Sequence, residues 1–138
     1  MKKILVGAGA IIILAIAYYL ISPVFKIVEL NESYPVSKEF SGPSQIILFQ
    51  SDFQPGEHDV SGKAILIEDN GKKILRFENF ETINGPDLHI YLSSDLEATD
   101  YVDLGKIKAT KGNVNYEVPF DVNLKKYTKV LVWCQPFK

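Results

Sequence analysis

The sequence KAILIEDNGKKILRFENF, residues 63–80, decides the fold, because it joins two apolar runs through a short polar turn. Apolar and charged residues alternate along the second run, so that Leu75 and Phe77 point to one side and the charged residues to the other. The pair Asn70-Gly71 lies between the runs, and both central residues of a type I′ turn need a positive φ. The stretch therefore predicts an antiparallel β-hairpin.

Further strand-like stretches lie on both sides of this hairpin. They cover residues 46–49, 88–92, 101–107, 114–118 and 129–136. In the second of them, alternation puts Leu88, Ile90 and Leu92 on an inner face and Asp87, His89 and Tyr91 on the outer face. The last stretch is apolar on both faces, which is typical of a central strand covered on each side.

These short strands, with no amphipathic helix between them, predict an all-β fold: an antiparallel β-sandwich of about seven to eight strands. A closed barrel is the alternative. We also expect residues 124–127 to form a helical turn before the last strand, with the Tyr127 hydroxyl bonded to backbone.

The N-terminus carries a different signal. An unbroken apolar run covers residues 4–21 and follows Lys2 and Lys3. As an α-helix this run is roughly 27 Å long, close to the thickness of the hydrocarbon layer of a bilayer. It therefore predicts a transmembrane helix before the sandwich. Cleavage of a signal peptide after Ala17 is the first alternative, and a buried soluble helix is the second; the apolar residues that follow Ala17 favour the anchor.

The anchor divides the chain into four predicted parts. They are a cytoplasmic tip at residues 1–3, a membrane anchor at 4–21, a polar spacer at 22–44 and an extracytoplasmic domain at 45–138. The orientation follows from the lysines before the apolar run, because basic flanks stay in the cytoplasm. We thus expect a single-pass membrane protein with its C-terminal domain outside.

The charge balance bears on partners. Lys2, Lys3 and Lys26 account for three of the 15 basic residues, and all 17 acidic residues follow them, which leaves the exported part with 12 bases and a balance of −5. This acidity argues against nucleic acid as a partner. We expect the chain to contact the membrane through residues 4–21 and a protein partner outside the cell.

Residues for catalysis are scarce. The chain has two histidines, His58 and His89, and one cysteine, Cys134, on separate segments. It lacks H-x-x-x-H, C-x-x-C and G-x-S-x-G spacings, and three scattered ligands do not predict a preformed metal site. Acidic residues are frequent, yet no pair stands out for hydrolysis. We therefore expect a protein that is not an enzyme on its own.

Cys134 is the candidate site residue. It shares a face with Val130 and Val132, where a small buried side chain belongs, so simple packing is one interpretation. A redox thiol, a haem or copper ligand and an intermolecular disulfide are the others, because a lone thiol outside the cell has no internal partner. We expect Trp133 to point the other way and to pack in a core. We also expect Cys134 and His89 to lie on different sheets or opposite faces.

Five short motifs are spread over the predicted domain. They are HDVSGKA at residues 58–64, LRFENF at 75–80, NGPDLHIYL at 84–92, LGKIK at 104–108 and WCQPF at 133–137. Together they resemble the motifs of the DM13 domain, an all-β extracellular module that in microbes follows a membrane anchor. The third of them is the most specific, and the resemblance covers residues 45–138. Ser51 departs from it, since Gly is usual there. The family pattern also leads us to expect a further strand after residue 134.

The resemblance implies a role in electron transfer. The signature cysteine of the family, carried here by Cys134, is expected to act as a free thiol or as a haem ligand. No other cofactor is implied. The alternative function is a binding or adhesion module at the cell surface in which Cys134 only packs.

Overall fold

The computed structural model describes residues 2–22, 26–35 and 45–136. In these residues the chain forms one helix and eight strands. They are α1 Lys2–Ile21, β1 Glu29–Asn31, β2 Gln45–Asp52, β3 Val60–Asp69, β4 Lys72–Thr82, β5 Leu88–Ser93, β6 Tyr101–Lys106, β7 Lys111–Val118 and β8 Lys129–Cys134.

The predicted hairpin is present as β3 and β4. The two strands pair antiparallel, and the register places Asp69 opposite Lys72. Asn70 and Gly71 form the turn with φ values of 50° and 78°. Because both turn residues have a positive φ, the Asn-Gly signal is confirmed.

The strands form two sheets around one core. The larger sheet has the order β1-β7-β4-β3-β2 and the smaller one the order β6-β5-β8. Buried residues from both sheets form the core cluster. Its members are Ala64, Leu66, Leu75, Phe77, Phe80, Ile90, Leu92, Ala109, Val114, Tyr116 and Val118. Contact between the inner faces of two sheets defines a sandwich, so the mostly β, two-sheet part of the predicted fold class is confirmed.

The prediction that the last strand is central was wrong. Among the described residues β8 pairs with β5 alone, whereas β5 has a neighbour on each side. The apolar character of both faces of β8 has another cause. Val130 and Val132 pack against the core, and Trp133 stacks on an aromatic ring of the outer face.

The predicted spacer contributes a strand to the sandwich. β1 lies within residues 22–44 and pairs parallel with β7, so the larger sheet is not wholly antiparallel. Gly112 permits this pairing: its φ is 118°, and a Cβ at this position would lie 2.2 Å from the carbonyl oxygen of Leu30. Residues 36–44 of the predicted spacer lie outside the described part of the chain.

Two further predictions concern the helix and Tyr127. α1 ends with the apolar run at Ile21 and begins two residues before it, at Lys2, so a helix is present where it was predicted. Across residues 2–22, 26–35 and 45–136, no helix combines the length and the apolar character needed to cross a membrane, and the predicted anchor is not supported there. Residues 123–127 form the expected turn, but the Tyr127 hydroxyl donates to the Asp100 carboxylate at 2.9 Å instead of to backbone.

Candidate functional site

β5 and β8 position both residues that the sequence singled out. Their antiparallel register places Cys134 opposite Leu88 and Trp133 opposite His89. Directly opposed residues on neighbouring strands point to the same side of the sheet. Cys134 therefore lies on the inner side with Leu88, and His89 lies on the outer side with Trp133. The two candidates share one sheet, and their expected placement on opposite faces is confirmed.

Cys134 is a free, half-buried cysteine at the end of β8. Its Sγ faces the turn before β5, where a Cβ added to Gly85 would lie 3.6 Å from the sulfur and 3.1 Å from the Leu88 side chain. The backbone N–H of Gln135 donates to the Asp87 carbonyl at 3.0 Å, which ties the end of β8 to the same turn. We call this arrangement of Gly85, Leu88 and Cys134 the thiol corner.

The thiol corner does not fit a haem. One cleft of about 620 Å³ runs between residues 26–27, 59–61 and 81–84, and another of about 420 Å³ runs between residues 103–104 and 117–120. Cys134 lines neither of them, and His89, which could act as a second axial ligand, points to the opposite face. In the described part of the chain, no group of three or more His, Cys, Asp or Glu residues could hold a metal ion.

Three aromatic rings form a row across the outer face of the smaller sheet. Tyr91 stacks on Tyr101 with centroids 4.0 Å apart at 12°, and its centroid lies 6.3 Å from that of Trp133 at 25°. Tyr91 is on the outer face as predicted, but it is only 1% exposed because the two other rings flank it. Trp133, expected in a core, belongs to this outer aromatic row.

His89 is held between two carboxylates beside this row. Its Nδ1 lies 2.8 Å from Oδ2 of Asp103, whose Oδ1 accepts a hydrogen bond from the Gly105 N–H at 2.7 Å. Its Nε2 lies 3.5 Å from Oδ1 of Asp87. The His89 side chain is only 12% exposed. We call Asp87, His89 and Asp103 the histidine clamp.

Lys106 and Gln135 extend the clamp. Nζ of Lys106 lies 2.8 Å from Oδ1 of Asp87, and the hydrogen bond from Lys106 lowers the pKa of Asp87. Nε2 of Gln135 donates to the Tyr91 hydroxyl at 2.9 Å. Burial raises the pKa of Tyr91, so this phenol stays protonated well into the alkaline range. The outer face therefore carries one connected network of polar groups and rings.

The chemistry of the clamp is that of a structural ion-pair network. Nε2 of His89 and Oδ1 of Asp87 are buried atoms that lie 3.5 Å apart, and the same Oδ1 lies 2.8 Å from Nζ of Lys106. Nδ1 of His89 faces Asp103 and Nε2 faces Asp87, so the imidazole lies between two carboxylates. The clamp thereby joins β5 to β6 and to the turn before β5.

Sequence reasoning identified part of this outer face. It placed His89, Asp87 and Tyr91 together, but it missed Asp103 and Gln135. Asp103 is followed by Gly105, and this short Asp-Leu-Gly segment was the available signal for a carboxylate fixed by a tight backbone. The other histidine, His58, lies in the exposed loop between β2 and β3.

Comparison with known families identifies the domain. A family model described as "Electron transfer DM13" matches residues 52–138. The match includes β3 to β8 entirely, and with them the thiol corner and the histidine clamp. No curated protein and no solved structure matches the chain. The chain therefore belongs to the DM13 family of electron-transfer domains.

Proposed function

We propose that this DM13 domain passes electrons to and from a protein partner through the thiol of Cys134. The observation that carries the proposal is the unpaired, half-buried Cys134 within the residues that match an electron-transfer family. A thiol fixed at the end of a strand and still partly accessible can meet a partner sulfur without unfolding of the domain. Because the thiol corner does not fit a haem, the free thiol is the form we propose.

The proposed step is thiol–disulfide exchange. The Cys134 thiolate attacks the disulfide of an acceptor protein, forms a mixed disulfide and displaces one acceptor thiolate, which takes up the proton. A donor protein with two thiols then attacks the Cys134 sulfur and releases the second acceptor thiol. The second donor thiol finally displaces Cys134 and closes the donor disulfide. Two electrons pass from donor to acceptor, and Cys134 returns to its initial state.

The alternative function is a binding module in which Cys134 only packs. The position of Cys134 on the same face of β8 as Val130 and Val132 is the observation that favours this alternative, since these valines pack against the core. The two functions differ in one property, which is the reactivity of the thiol in the folded protein.

The test is the reaction of the native full chain, in detergent micelles, with oxidised glutathione. We expect one glutathione adduct on Cys134 by intact mass, and its removal by a dithiol reductant. The Cys134→Ala variant provides the baseline, because the chain has no other cysteine. A thiol that reacts only after denaturation in urea would contradict the proposal and favour the binding module. Optical absorbance of the same sample tests for haem independently.

The location of the domain is also part of the proposal. We propose that α1 holds the domain at the membrane and that the domain lies outside the cytoplasm; the support is the sequence, with Lys2 and Lys3 before an uncharged run at residues 4–21. Protease treatment of intact cells is the test. Cleavage of the domain in intact cells is expected, and protection until lysis would contradict this location.

A further inference from the structure

The edge strand β2 exposes apolar side chains on both of its faces. Ile46, Ile47, Leu48 and Phe49 are 59%, 54%, 42% and 43% exposed. A bulge at Leu48 shifts the pairing with β3, so that Ile47 lies opposite Ile67 and Phe49 lies opposite Leu66. The strand thus continues the larger sheet with four consecutive apolar residues that the rest of the described chain leaves in contact with solvent.

The free edge of β2 has little of the usual protection against strand pairing. Within the described residues β2 pairs with β3 alone, so one side of its backbone has no neighbouring strand. Natural edge strands are commonly blocked by lysine, proline, short length or a bulge, and of these β2 has only the bulge at Leu48. β2 has eight residues, no proline, no lysine and no arginine, and its only charge is Asp52 at its end. The opposite edge of the same sheet is β1, which has only three residues.

We propose that β2 pairs with β2 of a second copy of this chain. The pairing is antiparallel about a twofold axis between Leu48 and Phe49, which extends the larger sheet across two molecules. In this register Leu48 faces Phe49 of the other copy, and Ile46 faces Ser51. The apolar centre of β2 in one copy thereby contacts the apolar centre of β2 in the other copy.

The charge pattern favours a second copy over a charged partner strand. In the twofold register Asp52 falls opposite Gln45, so no like charges face each other, which would be destabilising across a strand pair. Lys63 on β3 already neutralises Asp52 at 2.9 Å, and the edge offers no further charge to attract a charged strand. One strand pair buries less than the roughly 1,200–2,000 Å² of a standard interface, so we expect a weak dimer that dissociates on dilution.

Sedimentation equilibrium of the full chain in density-matched detergent micelles tests the proposal. We expect a concentration-dependent dimer for the wild type, and at least tenfold weaker association for Ile46→Lys and for Leu48→Lys. Ile46 lies opposite Glu68 on β3, so a lysine there gains a cross-strand partner and should not disturb folding. Leu96→Lys is the matched control, because Leu96 is an apolar residue that is 65% exposed outside β2, and its dimer should be unchanged.

Cross-linking tests the register without relying on these variants. In a Cys134→Ser background, Ile46→Cys with Ser51→Cys should give disulfide-linked dimers, whereas Ile46→Cys with Gln50→Cys should give far fewer. A monomeric wild type, a dimer that Ile46→Lys leaves intact, or equal cross-linking of the two cysteine pairs would each overturn the proposal. Because Cys134 is absent from the cross-linking variants, this result is independent of its redox role.

Discussion

Cys134 and Gly85 meet between the end of β8 and the turn before β5, where the sulfur lies 3.6 Å from the position of a Cβ on Gly85. A Cβ there would also lie 3.1 Å from Leu88, which is closer than ordinary van der Waals contact. We predict that Gly85→Ala displaces Leu88, lowers the free energy of unfolding by about 1–3 kcal/mol and changes the labelling rate of Cys134 beside it. Thiol-labelling kinetics and urea unfolding measure the two effects.

Gly56→Ala is the control for this substitution, because a Cβ on Gly56 meets nothing within 4 Å. Its stability and thiol reactivity should equal those of the wild type. If Cys134 is labelled at the same rate in Gly85→Ala as in the wild type, the turn does not control access to the sulfur.

The histidine clamp supports a prediction about stability. His89→Ala leaves the carboxylates of Asp87 and Asp103 without their shared partner, so we expect a loss of about 1–3 kcal/mol in the free energy of unfolding at pH 7. Lys106→Ala is the control: its side chain is 74% exposed, and an exposed ion pair contributes about 0–1 kcal/mol. Equal urea midpoints for His89→Ala and the wild type would rule out a structural role for the clamp.

Gly112 provides a prediction about β1. Any side chain at this position collides with the Leu30 carbonyl, so Gly112→Ala should separate β1 from β7 while the β3–β4 hairpin remains. Hydrogen exchange should then be faster at Glu32, whose N–H donates to the Asn113 carbonyl at 2.8 Å, than in the wild type. Unchanged protection at Glu32 would contradict this effect.

The raised pKa of Tyr116 leads us to predict that the domain loses stability in alkali. Burial raises its pKa from 10.0 to about 12, and its hydroxyl accepts a hydrogen bond from the Lys108 N–H at 3.0 Å. Because the pKa is raised in the folded state, the protonated Tyr116 hydroxyl contributes fully to the free energy of unfolding below pH 10. This contribution is lost as the pH rises to 12. A pKa difference of about two units between the folded and unfolded states corresponds to about 2–3 kcal/mol of unfolding free energy. Unfolding free energies at pH 9 and pH 12 should therefore differ more for the wild type than for Tyr116→Phe.

The lowered pKa of Asp100 leads us to predict that the domain loses stability in acid. The hydrogen bond from Lys126, followed by that from Tyr127, lowers its pKa below the ordinary value of 3.8. Because this pKa is lowered in the folded state, the ionised Asp100 carboxylate stabilises the fold above pH 3.8. This stabilisation is lost as the pH falls through the lowered pKa. Lys126→Met should make the acid limb of a stability–pH curve shallower, whereas Lys125→Met should not. Identical acid limbs for both variants would contradict this pairing.

The hairpin and the class of fold were predictable because their signals are local. The turn at Asn70-Gly71 needs only two residues with a positive φ, and alternation along β3 and β4 needs only neighbouring side chains. For the same reason the sequence identified the inward face of Cys134 correctly, since Val130 and Val132 precede it at a spacing of two.

Strand order and the outer network depended on contacts distant in sequence. Asp103 reaches His89 only because β6 pairs with β5, and a register shift between His89 and Tyr91 interrupts the regular pairing of these strands. Burial of Tyr91 requires Tyr101 and Trp133 from the two flanking strands. The sequence by itself determined where β2 to β8 form and how side chains alternate along them, because backbone dihedrals and side-chain alternation act between neighbours; it did not predict β1. Tertiary structure alone decided that β8 is the outermost strand of the smaller sheet among the described residues, and that the Asp103 carboxylate and an aromatic row lie beside His89, because strand pairing brings these groups together.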